Sequence, residues 1–115
     1  MRTLTPQEHD VLVQFGARLP EEQRSRFLRD LKSCSVEERG IEGSRLVFEL
    51  AGYSRPPYRG QHAYQVEGTV LDADGEDVSV YVYADENDRL LELEFVKWGD
   101  MPIKALRWES FQIVT

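Results

Sequence analysis

The stretch that most restricts the fold is Val66 to Trp98, VEGTVLDADGEDVSVYVYADENDRLLELEFVKW. It divides into three runs separated by two acidic turns, Asp72-Ala-Asp-Gly-Glu-Asp77 and Asp85-Glu-Asn-Asp88. In the middle run Val78, Val80 and Val82 alternate with Ser79, Tyr81 and Tyr83, and in the third Leu91, Leu93 and Phe95 alternate with Glu92, Glu94 and Val96. Side chains on a strand point to alternate faces, so this period of two predicts an antiparallel sheet with one aliphatic face. The opposite face then carries Tyr81, Tyr83, Glu92, Glu94 and Glu67. Burying Glu92 and Glu94 unpaired would cost several kcal/mol, which assigns the aliphatic face to the core.

The segment before the sheet reads as helical. Leu4-Thr-Pro-Gln-Glu8 combines Thr5 as N-cap, Pro6 at the first helical position and Glu8 to complete a capping box. Val11, Leu12, Phe15 and Leu19 follow at helical spacing, until Leu19-Pro20 ends the helix. Pro20-Glu-Glu-Gln starts a second helix, with Phe27, Leu28, Leu31 and Cys34 as its apolar stripe. Arg24, Arg26, Arg29 and Lys32 occupy the remaining surface, interrupted by Glu21, Glu22 and Asp30, which is the pattern of a solvated face rather than a nucleic-acid patch. Val36–Ile41 reads as a short strand or turn, Arg45–Leu50 as a strand, His62–Leu71 as the strand entering the sheet, and Ile103–Thr115 as a last strand or covering tail. The loop from Ala51 to Gly60 holds Tyr53, Arg55 and Tyr58, residue types enriched at binding hot spots. A single α+β domain, 1–115, is expected: two N-terminal helices packed on an antiparallel sheet of about four to six strands.

Charge divides unevenly along this layout. Residues 1–59 hold ten Lys/Arg against nine Asp/Glu, whereas residues 60–115 hold four against twelve, together giving the net charge of −7. An acidic sheet half repels phosphate backbones, so direct nucleic-acid binding is not expected there, and it attracts basic partners. No apolar run is long enough to span a membrane, and MRTLTPQEHD lacks the apolar centre of a signal peptide. With Cys34 as the only cysteine, a cytoplasmic location is expected.

Motifs for catalysis or metal binding are weak. Asp72-x-Asp74-Gly75-x-Asp77 resembles the acidic part of a calcium loop, but Gly is fourth rather than sixth, Tyr83 stands at the twelfth position, and strands flank the turn. One Cys and two separated histidines, His9 and His62, do not make a zinc site. Glu92 and Glu94, about 7 Å apart along one strand, have a spacing some glycosidases use, yet neighbouring solvated carboxylates are far commoner. No catalytic residue, metal ligand or cofactor is therefore assigned. The expected partner-binding residues are Tyr81, Tyr83, Glu92, Glu94 and Glu67, with Tyr53, Arg55 and Tyr58 of the loop.

Two passages, Leu4-Thr-Pro-Gln-Glu-His-Asp-Val-Leu12 and Ala84-Asp-Glu-Asn-Asp-Arg-Leu-Leu-Glu-Leu-Glu-Phe-Val-Lys-Trp98, resemble small bacterial domains with a helical start followed by a sheet. In size, acidity and layout the chain is similar to immunity proteins of bacterial toxin systems, including contact-dependent growth inhibition. The resemblance implies a non-enzymatic protein that binds and neutralises a cognate basic toxin domain, often a nuclease. The alternatives are a small enzyme built on the His62 region and the sheet carboxylates, and a ligand-binding accessory domain.

Overall fold

A computed structural model describes residues 1–57 and 60–114 of the chain, and of residue 42 the backbone only. Helix α1 spans Pro6–Ala17 and α2 spans Glu21–Lys32. Strands β1 (Cys34–Arg39), β2 (Arg45–Leu50), β3 (His62–Asp72), β4 (Asp77–Ala84), β5 (Leu90–Lys97) and β6 (Leu106–Ile113) follow, with a 3₁₀ turn at Ile41–Gly43 between the first two. Neither helix is long and apolar enough to cross a membrane.

The start of α1 is the expected capping box: the Glu8 amide donates to Thr5 Oγ1 (3.2 Å) and the Thr5 amide to Glu8 Oε1 (2.9 Å). Arg2 closes the arrangement by donating to both Glu8 oxygens at 2.9 Å. The helix ends at Ala17, two residues before Leu19-Pro20, and α2 resumes directly after Pro20. Phe27 and Leu31 of α2 are buried, and so is Asp30 between them, which the apolar pattern had left on the charged face. Cys34 opens β1 rather than ending the helix; burial pushes its thiol upward, and it donates to the Leu31 carbonyl (3.3 Å).

The six strands form one antiparallel sheet in the order β1-β2-β5-β4-β3-β6. Val78, Val80 and Val82 are fully buried, and they share one core with Leu12 and Phe15 of α1, Phe27 of α2 and Val36, Leu46 and Phe48 of the first two strands. The helices thus take the aliphatic face. Edge-to-face contact of Phe27 with Tyr64 (5.3 Å) and tilted packing of Phe15 on Phe111 (5.9 Å) bind the helical layer to β3 and β6. Gly68 makes the second contact possible, because a Cβ there would stand 2.5 Å from the Phe111 ring.

Two local features depart from simple alternation. Tyr83 faces Glu92 but Ala84 faces Leu90, so a bulge leaves Leu91 without a partner. Leu90, fully buried, therefore joins Leu93 and Phe95 in the core, and the expected Leu91 does not. At the other end Lys97 lies opposite Val78 on the inner face, where it meets Asp72 at 2.8 Å. Asp72 also accepts the amides of Ala73 (2.7 Å), Lys104 (2.9 Å) and Ala105 (2.8 Å), so the acidic turn serves as a clasp for the segment after β5.

Candidate functional site: the uncovered face of the sheet

The face away from the helices is organised in rows that run across the strands. Glu67, Tyr81, Glu94 and Arg45 stand opposite one another in sequence over β3, β4, β5 and β2, and Arg39 of β1 extends the row. A parallel row holds Ala63, Tyr83, Glu92, Val47 and Glu37, and a third holds Gln112, Thr69, Ser79 and Val96. Period-two alternation alone places these side chains on one surface, since directly opposed residues share a face. Tyr81 and Tyr83 lie 6.5 Å apart between ring centres, both partly exposed.

Charge on this face is more structured than the sequence suggests. Glu67 is exposed and Glu94 partly exposed, and among the described residues neither joins an ion pair. Glu94 accepts the Tyr83 hydroxyl (3.1 Å). Burial, the Glu94 charge and that hydrogen bond push the Tyr83 phenol up to about 12, so it stays a donor at all ordinary pH. Glu92 corrects the expectation of a carboxylate open to water: it is only 6% exposed and sits 3.3 Å from Arg45. Burial raises its carboxyl despite the Arg45 charge, and Glu94 adds to the rise. The acidic part of the surface is therefore the half over β3 to β5, while Arg45 and Arg39 make the β1–β2 half partly basic.

The loop residues border this surface, where Tyr53 and Arg55 line a hollow with Glu37, Val47 and Leu91. Tyr53 donates its hydroxyl to Asp85 Oδ2 (2.6 Å), and its ring is stacked beneath the Arg89 guanidinium (4.3 Å to the ring centre). Arg55 donates to Asp85 (2.9 Å) and to the Phe48 (2.9 Å) and Leu90 carbonyls. Asp85 is buried, which would raise its carboxyl, but Tyr53, the Arg89 amide and Arg55 together hold it below the usual range. Arg89 in turn forms a fork on Asp30, whose second oxygen also accepts the Leu90 amide (3.1 Å). Tyr53 and Arg55 thus anchor the loop to the β4–β5 turn and, through Arg89, to α2; Tyr58 lies outside the described residues.

His62 and His9 stay apart: His62 Nε2 is 2.9 Å from Asp88, which also pairs with Arg26 (2.8 Å), and His9 is exposed on the first turn of α1. Among the described residues no group of three or more His, Cys, Asp or Glu is arranged to hold a metal ion. Of the two carboxylates on β5, Glu92 is held by Arg45 and Glu94 by the Tyr83 hydroxyl.

One part of the surface went unnoticed in the sequence. Trp98, 72% exposed, leans on the third row with its indole N–H 3.4 Å from Ser79 Oγ. Its position one residue past β5, before a Gly-Asp-Met-Pro break, was the available signal: an aromatic at a strand end has no neighbouring strand to cover it. No curated protein and no solved structure matches the chain. A family profile described as Domain of unknown function (DUF6984) matches residues 1–107, and the chain belongs to that family.

Proposed function

We propose that the chain is a non-enzymatic, cytoplasmic immunity-type protein that binds a basic bacterial toxin domain and neutralises it with the uncovered sheet face. The supporting observation is the row Glu67–Tyr81–Glu94, two carboxylates that join no ion pair among the described residues, on either side of a partly exposed tyrosine. Tyrosine supplies rigid apolar area with a polar tip, and the flanking carboxylates supply the charge for lysine or arginine on a partner. The row lies on strands whose other face is the core, so its backbone is already ordered before a partner binds. A nuclease domain, which needs a cationic cleft for phosphates, is the kind of partner such a row would suit.

The experiment is protection. The partner to test is the C-terminal region of whichever protein is encoded immediately upstream; it is co-expressed with the chain, and growth is scored. The chain should rescue growth, and Glu67→Lys with Glu94→Lys should abolish rescue at unchanged protein level. Full protection by the double variant would remove this face from the mechanism.

A further inference from the structure

Beside the uncovered face lies a groove of about 470 Å³, whose apolar lining includes Ile41, Met101 and Ile103. The end of β5, residues Phe95, Val96 and Lys97, also lines it. The pairing of β2 with β5 stops at Arg45 opposite Glu94, because the chain ahead of β2 turns off into the 3₁₀ turn. β5 runs on to Lys97, held on its other side by Val78 of β4. Phe95 directs its N–H away from β4, to the Ser44 carbonyl (2.8 Å). Lys97, two residues further, therefore directs its own N–H and C=O the same way, where among the described residues no strand continues the sheet. A short length of open strand edge thus faces the groove.

The groove's walls are apolar and in water. Ile41 is 79% exposed and Met101 56%, whereas the aliphatic residues of the strands are largely covered. The charged groups nearby are of both signs, but the cations on the strands are already paired: Arg45, opposite Glu94, meets Glu92 at 3.3 Å. Lys97 is neutralised by Asp72 and Asp74, leaving Asp100 on the groove and Glu94 beside it on β5. The groove is continuous with the uncovered face, since the row Thr69–Ser79–Val96 ends on it and Trp98 bridges back to Ser79.

We propose, resting on the binding role above, that this groove takes an extended basic segment of the partner protein, which pairs with the open end of β5 and lodges one apolar side chain against Ile41 and Met101. Strand alternation matches that occupant. A segment lying along β5 sends one residue toward Phe95 and its two neighbours toward the outer face, where Glu94 and Asp100 favour lysine or arginine. Main-chain hydrogen bonds give such a site its grip, and the apolar pocket gives it selectivity.

The test uses the full ¹⁵N-labelled chain and a defined probe, acetyl-seryl-lysyl-leucyl-lysyl-serine amide. Titration should shift the amide signals of Lys97, Trp98 and Met101, and slow hydrogen exchange at the Lys97 amide. Ile41→Glu and Met101→Glu, both at well-exposed positions whose melting curves check the fold, should each weaken binding about tenfold, the loss of one anchor contact. A probe with glutamates for the lysines, or with N-methyl groups along its backbone, should bind at least about tenfold more weakly. Equal binding of the N-methylated probe overturns the strand pairing. Shifts confined to Tyr81, Glu94 and Glu67 overturn the groove while leaving the acidic face standing; no shift at millimolar probe also overturns it, whatever the growth assay shows. Concentration-dependent shifts at Lys97 without probe would make the occupant a second copy of the chain and overturn the proposal in that form.

Discussion

Asp30 ties three parts of the molecule together from a single side chain, and its loss would be felt in all of them. It takes the Arg89 guanidinium and the Leu90 amide at 2% exposure, and Arg89 in turn packs on Tyr53. Asp30→Ala leaves a guanidinium and a buried amide without their acceptor, and should lower unfolding free energy by about 3 kcal/mol in a denaturant titration. Asp72 governs the acid side of stability. Burial raises its carboxyl, but Lys97 and the Lys104, Ala105 and Ala73 amides outweigh this and hold it well below the unfolded value of 3.8. Its contribution is present above that value and is lost as pH falls below it toward the lower folded value. Asp72→Asn should therefore destabilise the chain at neutral pH and flatten the acid limb of its melting-temperature profile. Glu92 has the opposite sign. Its carboxyl is raised from 4.5, so the ionised form weighs against folding once pH has risen through the folded value. Glu92→Gln should raise the melting temperature at neutral pH and leave it unchanged well below the unfolded value.

At the scale of elements, β3 meets β6 in close contact at Gly68. Gly68→Ala would place a methyl 2.5 Å from the Phe111 ring, which also packs on Phe15, and should cost about 1–3 kcal/mol by thermal melting. Elements set by local chemistry were legible in the sequence. Thr5, Pro6 and Glu8 announced the first helix, and the Val78–Val82 alternation announced both a strand and the face that the helices cover. What was hidden depends on distant partners or on one extra residue. Leu90 and Leu91 are adjacent and chemically alike, so only the length of the Asp85–Asp88 turn decides which enters the core. Asp30 read as surface charge because its partners are 59 and 60 residues away. Tyr53 and Arg55 had the composition of an interface, and the buried Asp85, which takes both, lies 30 or more residues further on. Alternation found the candidate surface, but the Arg45–Glu92 pairing that divides it into acidic and basic halves needed the strand order.

For the whole molecule, the separation of faces is what gives the proposed function its physical basis. One side of the sheet is committed to the helices, and the other presents Glu67, Tyr81 and Glu94, continued by Trp98 to the open end of β5. A surface of this kind acts chiefly on encounter, drawing a cationic partner in and orienting it, so its signature is kinetic and sensitive to salt. The direct measurement is the association rate with a toxin domain against which the chain protects, across a series of ionic strengths, for the native chain and for the Glu67→Lys, Glu94→Lys double variant. The native rate should fall steeply with salt, and the double variant should associate at least about tenfold more slowly at low salt, with a nearly flat dependence. Indistinguishable rates and salt slopes for the two proteins would contradict the account.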